Sequence, residues 1–324
     1  MHLDFCRTVV SALAWLILPL LLVAKPAAAA EPKVVVTLKP IHALVSQIME
    51  GAGKPVLIVD GSASPHTFTL KPSGAQAINQ ADVFIRVSEA LEPFTHKIAD
   101  ALPKSVRLMS LVQSPGVALL SQRTGATFEV HDHSDVEHGD HGDDHDAPAD
   151  GAKDNHIWLD PQNAKAIVDD VAKKLSAIYP EHAATFARNA VSLVAKIDAL
   201  SAEITAELAP VKDKPFIIFH DATQYFEKRF GLAAAGSVTV SPDVQPSAKR
   251  LTAVRKKIAS LGAVCVFAEP GFQPKLVAAV TEGTSARAGT LDPEGISLTA
   301  GPELYFDLMR GLAKGVAGCL ASAR

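Results

Sequence analysis

Short unbroken runs of Val, Ile, Leu and Phe alternate with helix-patterned stretches over most of the chain, and this rhythm narrows the choice of fold more than any other feature. "KVVVTL", "PVLIVD" and "DVFIRV" are apolar without the in-out alternation of a half-solvated strand. Strands of that kind are covered on both faces, as in parallel sheets. Between them, "IHALVSQIME" and "PSGAQAINQA" read as helices, the second opening on Pro72 and Ser73. The order strand, helix, strand predicts a parallel α/β unit.

About fifty residues of helical pattern follow further on. "DPQNAKAIVDDVAKKLSAIY" begins with Asp160 as N-cap and Pro161 in the first turn, and Pro180 ends it. "EHAATFARNAVSLVAKIDALSAEITAEL" keeps apolar residues at three- and four-residue spacing. It is long for a globular helix, which suits a link between two lobes. After Pro210 the α/β rhythm resumes with "PFIIFH", "ATQYFEKRFG", "PSAKRLTAVRKKIASLG", "AVCVFAEP", "PKLVAAVTEGT", "RAGTLD" and "ELYFDLMRGLAKGVAGCL". The expected plan is a targeting segment over 1–30, an N-terminal α/β lobe over 31–179, a linking helix over 180–209 and a C-terminal α/β lobe over 210–324.

The first thirty residues read as export machinery. Arg7 precedes the apolar run "VVSALAWLILPLLLVA", and Ala27–Ala30 offer a small-residue cleavage site before Glu31. An uncleaved membrane anchor is the alternative. Cleavage leaves Cys265 and Cys319 in an exported chain, where an even pair suggests one disulfide and two buried thiols are the other reading. Lys and Arg number 31 against 35 Asp and Glu, with no broad basic block, so nucleic acid is not an expected partner.

From His131 to His156 the chain reads "HDHSDVEHGDHGDDHDAPADGAKDNH", six histidines among nine acidic residues. The tract lacks apolar periodicity and is expected to be a solvated insert, about residues 128–154. His131, His133, His138, His141 and His145 would gather zinc weakly, because a flexible chelator loses conformational entropy each time it closes on an ion; a charged loop with no role is the other reading. His156 differs, since it leads directly into "IWLDP" and the Asp160 cap.

In open α/β sheets, ligands bind beyond the carboxyl ends of strands. His66 follows "PVLIVD", His220 closes "PFIIFH", Glu269 follows "VCVF", and Asp292 follows "RAGT". Neutral imidazoles on separate crevice loops suit a divalent metal, and zinc accepts four nitrogen and oxygen donors. His42, near a helix start, and His96 and His182, read as solvated helix residues, are not expected at the site. The competing class is a zinc hydrolase, with Asp221 or Glu269 as general base.

"GSASPHTFTLKPS", "NHIWLDP", "FHDATQYFEKRFGL", "CVFAEP" and "GTLDPEG", in that order, resemble the periplasmic zinc-binding proteins of ABC importers (ZnuA-type, in the metal-binding cluster of solute-binding proteins). The likeness spans essentially everything after residue 30 and includes an acidic histidine insert ahead of "NHIWLDP". It implies two α/β lobes joined by a rigid helix, a Zn2+ site in the crevice between them, ligands at His66, His156 and His220, and a Cys265–Cys319 disulfide. It further implies a monomer in the periplasm that delivers zinc to an inner-membrane ABC permease with its cytoplasmic ATPase, with a periplasmic zinc chaperone as a further candidate partner. Some relatives carry a glutamate before the first ligand, where this chain has Pro65. That leaves the fourth ligand to a water or to Asp292, with Glu269 in a supporting place. A manganese or other divalent-metal protein, or an adhesin, is the alternative within the family; three imidazoles and few carboxylates favour zinc.

Overall fold

The computed structural model describes residues 30–128, 151–239, 241, 244–261, 265–272 and 274–321. The expected targeting segment, apart from Ala30, and the insert histidines at 131, 133, 138, 141 and 145 lie outside the described residues.

The first sheet comes from β1 (Val34–Val36), α1 (Lys39–Ile48), β2 (Val56–Leu57), α2 (Pro72–Asn79), β3 (Val83–Arg86), α3 (His96–Asp100) and β4 (Arg107–Ser110). Its four strands lie in the order β2-β1-β3-β4, all parallel. The unbroken apolar runs are explained by burial: β1 and β3 are covered along their whole length.

Two helices follow, α4 (Pro161–Ile178) and α5 (Ala183–Leu208). Asp160 caps α4 by accepting from the Gln162 N–H, and Pro161 occupies the first turn, where its missing N–H costs nothing. At 26 residues α5 is about 39 Å long. Its buried stripe is Phe186, Ala190, Leu193, Ile197, Leu200, Ile204 and Leu208. That stripe packs on α1 and α4 at one end and on α9 (Leu304–Ala321) at the other.

The second sheet comes from β5 (Phe216–Ile218), α6 (Gln224–Phe230), β6 (Ala234–Ser237), α7 (Ala248–Leu261), β7 (Cys265–Ala268), α8 (Pro274–Thr281) and β8 (Arg287–Thr290), with α9 closing the chain. Its order β6-β5-β7-β8 repeats the plan of the first sheet, again all parallel. The fold is therefore two parallel-sheet α/β lobes joined by one long helix. A disulfide joins Cys265 on β7 to Cys319 on α9. No helix among the described residues is long and apolar enough to cross a membrane.

Two strands fall where the apolar-run pattern does not point. β4 is an edge strand with Arg107 and Leu108 exposed, so it lacks an unbroken buried run. β6 reads Ala-Ala-Gly-Ser, a poor strand sequence. Gly236 is required there by the segment that crosses from the first lobe: Phe128 N–H donates to the Ala235 carbonyl and Ser237 N–H to that of Ala126. A Cβ at 236 would collide with the Ala126 carbonyl oxygen.

One apolar core runs through both lobes, from Val34 and Ile85 through the α5 stripe to Phe216, Phe267 and Tyr305. Leu200, 1% exposed, sits in the middle of it. Leu200→Ala should lower the unfolding free energy by about 2–5 kcal/mol, measured by urea denaturation monitored by circular dichroism.

Candidate metal centre

His66 leaves the first sheet on the loop after β2, and its backbone N–H donates to Ser64 Oγ. His156 lies just before α4. Asp154 Oδ1 takes both the His156 backbone N–H at 3.0 Å and ring Nδ1 at 2.8 Å. His220 follows β5, and Glu269, following β7, grips it in the same way. Glu269 Oε1 accepts from the His220 N–H at 3.1 Å and lies 2.7 Å from Nδ1. One carboxylate thus fixes both the position and the tautomer of each ring. With Nδ1 donating to that carboxylate, Nε2 of the neutral ring keeps a lone pair, as a metal-binding imidazole requires.

Those lone pairs converge. His156 Nε2 and His220 Nε2 are 3.4 Å apart. His66 Nε2 stands 3.3 Å from Glu294 Oε1. Tetrahedral zinc with bonds of about 2.0–2.1 Å places neighbouring donors about 3.3 Å apart. The four residues His66, His156, His220 and Glu294 offer ligand atoms all within 4.8 Å of one another. Among the described residues, His66 Nε2 and Glu294 Oε2 are buried without a hydrogen-bond partner. Buried polar atoms are rarely left in that condition. The donor set of three imidazoles and one carboxylate fits a zinc-type ion.

The electrostatics are divided among the rings. Burial, reinforced by the neighbouring His156 and His66, drives the His220 imidazole well below its ordinary value. Burial also pulls on His156, but the Asp154 carboxylate more than offsets it and leaves that ring above its ordinary value. Burial pushes the Glu269 carboxyl well above the usual range. Glu294 is subject to the same burial, yet the facing His66 holds its carboxyl below the usual range.

A cleft of about 440 Å³ leads to these rings, lined in part by Leu91, Gln122, Asp154, His66, His156 and His220. Asp221 also lines it. Its carboxylate is held by the Arg123 guanidinium, which donates to both Asp221 oxygens and, through its other edge, to Glu227 at 2.8 and 3.0 Å. Arg123 lies over the Phe128 ring at 3.9 Å.

The three expected histidines come together, and Asp292 does not join them. Its carboxylate accepts from the backbone N–H groups of Ile296 and Ser297, both at 2.8 Å, and from Ser297 Oγ. Asp292 shapes the loop, and the carboxylate two residues later reaches the histidines. Sequence reasoning passed over Glu294 although it stands inside "GTLDPEG". The signal was the Asp-Pro pair: an aspartate opening a turn spends its side chain on the backbone ahead. His42 Nε2 faces the Pro55 carbonyl, His96 pairs with Glu89, and His182 precedes α5; none belongs to the cluster.

Fold and cluster together define a two-lobed binding protein built around a metal centre. A family model described as "Zinc-uptake complex component A periplasmic" matches residues 34–319. The high-affinity zinc uptake system protein ZnuA of Brucella suis is 48% identical over 305 residues, covering 89% of this chain and 91% of the relative. That of Paracoccus denitrificans is 36% identical over 309 residues, covering 92% and 95%. Among solved structures, FpvC from Pseudomonas aeruginosa in complex with Mn2+ aligns with a TM-score of 0.74 at 20% identity, over 91% of this chain and 100% of that one, a likeness of fold. The chain belongs to the ZnuA family of periplasmic zinc-uptake components.

Metal must displace the protons of the free cluster. His220, lowered, is already neutral; His156, raised above 6.5, still carries a proton just above that pH. Zinc affinity should therefore begin to fall above pH 6.5 as the pH drops, with proton release on binding in that window. Calorimetry in buffers of different ionisation enthalpy measures both quantities. A pH-independent affinity across the window would contradict the protonation scheme.

Proposed function

We propose that the chain captures Zn2+ in the periplasm through His66, His156, His220 and Glu294. It then delivers the ion to an inner-membrane ABC permease with its cytoplasmic ATPase. Residues 1–30 act as the cleavable export signal, and the captured ion is cargo. The observation that carries this reading is the convergence of four donors within 4.8 Å of one another, two of their atoms without a hydrogen-bond partner among the described residues. The relatives at 48% and 36% identity are zinc uptake proteins by name.

The donor chemistry favours zinc over manganese, since three imidazoles and one carboxylate make a softer set than manganese prefers. Binding without turnover is the better account of the site. Of the two acids that a hydrolase could use as base, Asp221 is committed to Arg123, and Glu269 to the back of the His220 ring. Neither is free to activate a water on the metal.

Single replacement of His66, His156 or His220 by Ala should weaken zinc binding at least about tenfold, read by competition with a chelator. Unchanged affinity in all three would remove the site. Mn2+ should compete poorly with Zn2+ for the parent chain. The histidines at 131, 133, 138, 141 and 145 act as an auxiliary, weaker zinc-gathering set. Deletion of 132–150 should remove weak zinc equivalents in calorimetry and leave one tight site; loss of the tight site would reverse the two roles.

A further inference from the structure

Lys39, the first residue of α1, is only 6% exposed, yet among the described residues its hydrogen-bond partners include no carboxylate. Its ammonium donates to three carbonyls of the opposite lobe: Gly295 at 3.3 Å, Ile296 at 3.0 Å and Leu298 at 2.9 Å. An ammonium has three protons, so its donor capacity is fully used. A buried cation is unfavourable unless its surroundings replace the lost water, so a lysine held only by backbone oxygens needs a reason to be there.

The three acceptors follow Glu294 directly in the chain. On its other side, the Trp158 indole N–H donates to the Pro293 carbonyl at 2.9 Å. Glu294 is therefore bracketed by two donors from the first lobe, although it belongs to the second. Asp292 folds the loop upon itself but does not fix it to the other lobe. The Glu294 side chain then points back across the divide, to His66 and to Ser64 Oγ at 3.3 Å. Lys39 and Glu294 also line the same small cavity, together with Trp158 and Ile296.

We infer that Lys39 is the positioning residue for Glu294: its ammonium docks residues 295–298 on the first lobe and so sets where the fourth donor meets the three histidines. This rests on the reading of Glu294 as a zinc ligand. The bland account is that Lys39 only glues the lobes together, as Gln47 does from the same helix by donating to the Pro302 carbonyl at 2.7 Å. Glue would act whether or not Glu294 is present.

A double-mutant cycle separates the two. Zn2+ affinity is measured by chelator competition for the parent chain, Lys39→Met, Glu294→Ala and the double variant. Lys39→Met should weaken binding about tenfold in the parent and not at all on the Glu294→Ala background. In Co2+-loaded protein the visible absorption of Lys39→Met should move toward that of Glu294→Ala. Gln47→Leu, which loosens the lobe contact elsewhere, should leave Zn2+ affinity unchanged. An equal loss from Lys39→Met on both backgrounds, or no loss on either, overturns the inference. If Glu294→Ala itself leaves affinity intact, the ligand reading falls and takes this inference with it. If Lys39→Met gives no folded zinc-free protein by circular dichroism, Lys39→Arg goes through the same cycle. Its planar fork cannot converge three protons from one nitrogen, so a smaller loss is expected, again absent without Glu294.

Discussion

Four candidate ligand atoms are crowded within 4.8 Å of one another at the foot of a cleft, and the rest of the molecule is arranged to tolerate that. His66 and His156 come from the first lobe, His220 and Glu294 from the second. Their spacing therefore depends on how the two sheets are set against each other. The α5 stripe and the continuous core hold that relation, because a close-packed interior resists small displacements. Secondary structure alone would place each donor on its own loop and leave the distances between loops free.

Charge is arranged with the same economy of partners. Asp154 and Glu269 stand behind their rings, where they select the tautomer without competing for the ion. Asp221, next in sequence to His220, is taken up by Arg123 with Glu227. The cleft thus contains several acids, yet Glu294 is the carboxylate whose oxygen joins the three imidazoles. A donor set with one carboxylate depends as much on holding other acids away as on bringing Glu294 near.

Much of this was legible in the order of residues. Unbroken runs such as "DVFIRV" marked strands buried on both faces, and the apolar spacing after Pro180 marked a helix long enough to serve both lobes. His66, His156 and His220 stood out as candidates because each follows a strand or precedes a capped helix. What stayed hidden depended on contacts between distant segments. The strand at Ala234–Ser237 has no propensity of its own and exists beside the crossing segment at 126–128. Asp292 stood beside a water as a candidate fourth ligand, and only the Asp-Pro turn hints that its oxygens are spent on the backbone ahead. Nothing in the sequence singles out Lys39, since its acceptors lie more than 250 positions away.

The bridge between Thr127 and Gly236 has a consequence for how the protein survives outside the cytoplasm. β6 lies at the margin of its sheet, where unpaired backbone groups invite pairing with another chain. The cover over that margin is lent by a segment that departs from the first lobe. Separation of the lobes would therefore uncover an adhesive sheet border as well as dismantle the ion's cradle. Resistance to aggregation and readiness for cargo are secured by the same embrace.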